Sequence, residues 1–130
     1  MRSIVTLIAI LALAGCATTA QQDEAIPRST TANTPVEIHN FLFFNGYCES
    51  TVEASVAQAP KNGRVDITPS TRVIPKKVSI GSSESCAGQE IPSRLVTYTP
   101  NPGFTGRDDF VIGVGWHSGG KSFRYEVTVR

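Results

Sequence analysis

The sequence is short of the groups that most enzymes work with. Two histidines, three cysteines, one tryptophan and one methionine occur in 130 residues. Neither His39 nor His117 stands at helical or CxxC-type spacing to a cysteine, which leaves no recognisable metal-ligand set and no implied cofactor. The G-x-S-x-G elbow is absent. The adjacent pair His117-Ser118, placed on a strand, points to opposite faces and so does not form a nucleophile with its base. Charge of one sign is lacking too: 12 Lys and Arg stand against 11 Asp and Glu. Duplex affinity rests on clustered cations that neutralise several phosphates, so the balance argues against nucleic acid as a partner. No apolar run reaches the ~20 residues that a membrane-spanning helix needs. The length is that of one ordinary domain, and a hydrophobic content of 40% is too high for a disordered chain.

What is present begins with an address. Residues 1–15, MRSIVTLIAILALAG, carry one basic side chain, Arg2, and then a nearly unbroken apolar run from Ile4 to Ala14. Such a run is too short to span a bilayer and has the form of a secretory signal peptide. It ends in Leu13-Ala14-Gly15-Cys16, which resembles the lipobox of bacterial lipoproteins. The resemblance implies cleavage before Cys16, lipid on the Cys16 thiol and amine, and partnership with a membrane through that lipid. Loss of Arg2 leaves equal numbers of acidic and basic side chains, so attachment rests on acyl chains rather than on a polybasic stretch. Inner-membrane retention in these lipoproteins follows an Asp after the lipidated Cys. Ala17 stands there, which implies the outer membrane, on its periplasmic face or its surface.

Residues 16–35 hold Thr, Ala, Gln, Ser, Asn and Pro but a single large aliphatic, Ile26. Too little apolar area is available to offset the entropy of ordering. The composition therefore predicts a flexible tether, holding a domain over 36–130 on the order of 25 Å from the membrane.

From Val36 onward, apolar residues alternate in short runs broken by Gly, Pro, Asn and Ser, the signature of strands. Seven are predicted: 36–44, 51–58, 64–68, 72–80, 94–99, 110–116 and 123–129. The last two form a hairpin in which Phe110, Ile112, Val114 and Trp116 share one face with Phe123, Tyr125, Val127 and Val129. Gly119-Gly120 is expected to supply the positive φ of its turn. Arg124, Glu126, Thr128 and Arg130 then face water. Pro75 is expected to interrupt an edge strand, with Lys76-Lys77 protecting that edge rather than forming a binding patch. Helices are expected to be marginal or absent. The pattern is that of an all-β, Greek-key sandwich.

With Cys16 assigned to lipid, Cys48 and Cys86 remain, an even number in an oxidising compartment. Two isolated cysteines are too few ligands for a metal, which favours a disulfide. Closing a loop of about 38 residues is worth roughly 4 kcal/mol in the chain-entropy model.

The stretch Tyr98-Thr99-Pro100-Asn101-Pro102-Gly103-Phe104-Thr105-Gly106-Arg107-Asp108-Asp109-Phe110 resembles the Y-x-P-x-x-G-F-x-G-x-D-x-F signature of bacterial Ig-like, cadherin-like domains. Ala59-Pro60-Lys61-Asn62-Gly63-Arg64-Val65 resembles their P-x-x-G-x-V turn into a strand. The match covers roughly residues 55–130 and implies an Ig-like sandwich, here in one copy. Asp108 and Asp109 invite a calcium reading. A Ca²⁺ ion takes six to eight oxygens, however, and Asp108 is better placed to accept backbone hydrogen bonds at the corner.

Trp116 continues the core face, yet beside the hairpin turn it also stands as a candidate aromatic hot spot with His117 and Lys121. Taken together, the sequence predicts a non-enzymatic, lipid-anchored protein in an interaction or envelope-structural role, with an envelope protein or polysaccharide as its partner. The rival reading is a small periplasmic inhibitor of a cell-wall hydrolase such as lysozyme, with Lys121 or Lys76 entering an acidic cleft.

Overall fold

A computed structural model describes residues 24–75 and 86–130. The leader, Cys16, Lys76-Lys77 and the second half of the predicted strand 72–80 lie outside the described residues. Seven strands run in order: β1 (Ile26–Thr30), β2 (Val36–Phe41), β3 (Glu53–Gln58), β4 (Gly63–Val73), β5 (Glu90–Pro100), β6 (Gly106–Trp116) and β7 (Gly119–Val129). They form two sheets, β1-β7-β6-β3 and β2-β5-β4, with no α-helix among the described residues.

Alternation produces this arrangement. On β6 the side chains of Asp108, Phe110, Ile112 and Val114 are buried, and on β7 those of Tyr125, Val127 and Val129. The second sheet contributes Ile38, Phe41, Val96 and Tyr98 to the same core. Aromatic rings cross between the sheets: Tyr98 stacks on Phe110 at 5.8 Å and Phe41 meets Phe123 at 5.2 Å, centroid to centroid. Two sheets thus share one core in a sandwich-like fold. A second, smaller cluster of Ile74, Cys86 and Ile91 packs against Leu42, Phe44 and Cys48.

Several expectations are corrected. Ile26–Thr30 belongs to the sheet rather than to a tether, pairing in parallel with β7 from Ile26 opposite Tyr125 to Thr30 opposite Val129. Parallel pairing to an edge is made by the backbone, so the sparse apolar content of residues 17–35 is no bar to it. The predicted strands 64–68 and 72–80 merge, over the described part, into the single β4. Pro69 sits inside β4 because β4 is an edge strand, paired with β5 alone, and a residue without a second neighbour need not donate on that side. Pro75 lies beyond the end of β4 rather than interrupting it. The β6–β7 reversal is made by His117-Ser118, with Trp116 opposite Gly119, so both glycines lie in the strand and neither has positive φ. β2 stops at Phe41, and Phe44 pairs only in a lone bridge with Ser50.

The register also sorts the connections into two ends. The β2–β3 loop, the β4–β5 connection and the β6–β7 turn share one end, since Glu53 pairs with Gly115 and Val73 with Glu90. The β1–β2, β3–β4 and β5–β6 turns share the other, where Gly63 pairs with Pro100 and Gly106 with Val129.

Candidate functional site

At the second end, the residues of the Tyr98–Phe110 motif build a structural corner. Asp108 is 4% exposed. Its Oδ1 accepts from the backbone N–H groups of Lys61 (2.9 Å) and Asp109 (3.0 Å), and its Oδ2 from Asn62 N–H (2.8 Å) and the Tyr98 hydroxyl (3.0 Å). A carboxylate offers about four lone-pair sites, so the group is fully used in tying the β3–β4 turn to β6. Burial, and then the hydrogen bond to Asp108, push the Tyr98 hydroxyl pKa well above its ordinary value. Asp109 is engaged as well: its Oδ2 takes Arg124 at 3.1 Å and Gln58 at 3.3 Å.

Gly63 is required here by close approach. A Cβ on it would sit 2.5 Å from the Tyr98 ring and 2.6 Å from the Thr99 carbonyl oxygen. Gly103 and Gly106 take positive φ of 75° and 129° at the turn into β6. Phe104 packs on the core margin, Pro100 and Phe110 are buried, and Asn33 Oδ1 accepts Gly103 N–H at 2.9 Å. The motif is accounted for by folding.

The first end carries the disulfide and the candidate interaction residues. Cys48 and Cys86 are bonded, with Cα atoms 5.5 Å apart. Trp116 is half-buried and stacks on Phe43 at 4.6 Å with ring planes 11° apart, so its indole forms part of the sandwich wall. His117 is exposed on the turn, and the Lys121 ammonium lies 5.5 Å over the Phe123 ring. Trp116 and Lys121 are thus each engaged with an aromatic partner of their own.

The aromatic that does project from this end is Tyr47, 86% exposed at the tip of the β2–β3 loop. Asn45 holds the loop in shape. Its Oδ1 accepts from Tyr47 N–H (2.9 Å) and Glu49 N–H (3.0 Å), while its amide donates to Glu49 Oε2 at 2.9 Å. Cys48 turns the chain with a φ of 64° and anchors it through the disulfide. Sequence reasoning passed over Tyr47. Its signal was Asn45-Gly46, a turn pair whose Asn commonly bonds the backbone two residues on.

Between the sheets, β1 and β2 meet along a cationic seam. Arg28 Nε donates to the Ile38 carbonyl at 2.9 Å and Arg72 Nη1 to the Asn40 carbonyl at 3.1 Å, so the carbonyls either side of His39 each hold a guanidinium. Together with Glu37 these residues line an open pocket of about 300 Å³. His39 stacks on Phe41 at 4.2 Å. Burial, then Arg28 and Arg72, lower its pKa below the ordinary value. Arg28 also lies 5.7 Å over the Tyr125 ring, whose hydroxyl is pushed up to about 12 by burial, with Arg28 pulling the other way.

On the outer face of β3, β6 and β7, Gly113, Gly115 and Gly120 leave a shallow groove of about 610 Å³ flanked by Glu53, Ser55 and Lys121. Among the described residues no group of three or more His, Cys, Asp and Glu is placed to hold a metal ion. No helix among them is long and apolar enough to cross a membrane. Comparison of the chain with protein-family models, with curated proteins and with solved structures returned no match.

Proposed function

We propose that this protein is a lipid-anchored lipoprotein of the bacterial cell envelope, carrying an Ig-like domain in a non-catalytic interaction or envelope-structural role. The observation that carries the reading is the division of the cysteines. Cys48 and Cys86 are bonded to each other, which leaves Cys16 as the one remaining thiol, at the end of the apolar leader and within Leu13-Ala14-Gly15-Cys16.

Support for the Ig-like reading comes from strand order. The sheet β2-β5-β4 corresponds to strands B, E and D of that fold, and β7-β6-β3 to G, F and C. The first strand lies beside β7 rather than beside β2, a switch of sheet that leaves the remaining order unchanged. The corner built by Asp108 and Tyr98 supports the same reading, since it gives each residue of the resembling motif a folding role. An envelope protein or polysaccharide is the partner class proposed, with the outer membrane as the site.

The test is expression of the full chain and of Cys16→Ser in a bacterium with two membranes, with radiolabelled palmitate and membrane fractionation. Label and outer-membrane density in the wild type, both lost in the variant, are expected. A variant that stayed membrane-bound would overturn the anchor. In-cell crosslinking of the wild type, read by mass spectrometry, then identifies the partner.

A further inference from the structure

The parallel pairing of β1 fixes where the N-terminal chain enters the domain, and this bears on which surface a lipid anchor would present to the membrane. Ile26 is opposite Tyr125, so the chain preceding it runs back along β7 toward the β6–β7 turn. Glu24 lies there, lining a shallow pocket with Lys121, Ser122 and Phe123. The entry point is therefore on the side of the molecule that carries the Tyr47 loop and the His117-Ser118 turn.

Lengths combine with that direction. Only residues 17–23 separate Cys16 from Glu24, and eight Cα steps span at most about 28 Å. From the level of Phe123, the turn at Ser118 extends a further ~17 Å in the same direction. For a chain that continues from Glu24 in the line of β1, the loop end would stand no more than about 11 Å from the anchor plane. A folded partner of 100 residues has a radius of gyration of about 13 Å and does not fit in that gap. A lipid headgroup layer does.

We propose that the end of the sandwich bearing Tyr47 is a membrane-facing surface, with the Tyr47 ring at the level of the lipid headgroups. The proposal rests on the lipid anchor at Cys16. The chemistry of the loop suits that position. Tyrosine is enriched at membrane interfaces because its ring is apolar and its hydroxyl wet. Here the ring is 86% exposed on a loop already ordered by Asn45 and the Cys48–Cys86 bond, so little further ordering is needed on contact. The corner end, with Asn33, Asn101 and Pro102, then points away from the membrane and is free for the envelope partner.

The test uses the full lipidated chain in vesicles of phosphatidylethanolamine and phosphatidylglycerol, with brominated acyl chains as a contact quencher of tryptophan fluorescence. Tyr47→Trp places a reporter on the loop, Asn101→Trp places one at the opposite end, and the wild type supplies the Trp116 background. Vesicle flotation and the mass of the N-terminal peptide report the anchor separately. The expected result is at least twofold stronger quenching in Tyr47→Trp than in the wild type, and no added quenching in Asn101→Trp. Equal quenching at both positions, or none at Tyr47→Trp while flotation and lipid mass are intact, overturns the membrane-facing orientation and leaves the anchor standing. Failure of the wild type to float overturns both.

Discussion

The Tyr98 hydroxyl donates to Asp108 Oδ2 at 3.0 Å, joining β5 to β6 through a carboxylate that also holds the backbone of Lys61 and Asn62. Tyr125 makes the contrast. It is equally buried, but its hydroxyl has no hydrogen-bond partner among the described residues. The same substitution should therefore act with opposite sign at the two positions. Tyr98→Phe removes a hydrogen bond to a charged acceptor and is expected to cost about 2 kcal/mol. Tyr125→Phe removes a buried hydroxyl that bonds to none of the described residues and is expected to stabilise by about 1 kcal/mol. Asp108→Ala removes the acceptor of four donors at once and should cost ~3 kcal/mol or more. Urea unfolding of the three variants checks this. Equal losses for the two tyrosines would show that ring packing, not the hydroxyl, governs both.

His39 gives a pH dependence whose direction can be worked out. Its pKa is lowered in the folded protein by burial and by Arg28 and Arg72, so the unfolded chain takes up a proton there before the folded one does. Its contribution to stability is present above the ordinary histidine value, about 6.5, and is lost as pH falls below it. Glu37 and the Tyr125 ring also face the seam, so the comparison has to be with a variant that keeps them. Between pH 7.5 and 5, the wild type is expected to lose more stability than His39→Gln does over the same interval. A parallel decline in thermal melts of the two proteins would place the dependence elsewhere.

Fold class was legible in the sequence because one face of each main strand is buried, and burial writes itself as period-two alternation. Phe110, Ile112 and Val114 announce β6 in this way. β1 wrote no such signal. It lies at a sheet edge with Pro27 and Ser29 exposed, and its attachment comes from a backbone ladder and from Arg28 rather than from large apolar side chains. Pro69 lies within β4 for a related reason: an edge strand tolerates a proline that a central strand would not. The disulfide could be counted out, and the Asp108 corner followed from a resemblance anchored on Asp108 itself. Tyr47 was missed because a single exposed aromatic beside a turn pair has no periodicity. The loop geometry that makes it conspicuous exists only after Asn45 has bonded back to the chain.

The place of β1 can be tested by cutting. The composition alone draws the domain boundary at Val36, whereas the sheet draws it before Ile26. A fragment of residues 24–130 and one of 36–130 should therefore differ. The shorter one lacks the parallel ladder on β7, the part-buried Ile26 and the charged hydrogen bond from Arg28 to the Ile38 carbonyl. Together these are expected to be worth about 3 kcal/mol, a large share of the stability of a small domain. Denaturant midpoints measured on both fragments decide it. Matching midpoints would mean that β1 is an ornament on a core complete without it.

The Cys48–Cys86 bond should carry a loss of similar size by a different route. It closes a loop of 38 residues in sequence separation and so removes conformations chiefly from the unfolded chain. The chain-entropy model puts this at roughly 4 kcal/mol, and Cys48→Ala with Cys86→Ala is expected to approach that loss. The cluster of Ile74, Ile91, Leu42 and Phe44 keeps its apolar partners, and Asn45 keeps its bonds to Tyr47 and Glu49 without the crosslink. Far-ultraviolet circular dichroism below the transition should accordingly be unchanged. Because the uncrosslinked chain exposes more surface when it unfolds, the slope of stability against denaturant should rise as the midpoint falls. A fall in midpoint with no change in slope would place the effect in the folded state, in the packing around Cys86, rather than in the freedom of the unfolded loop.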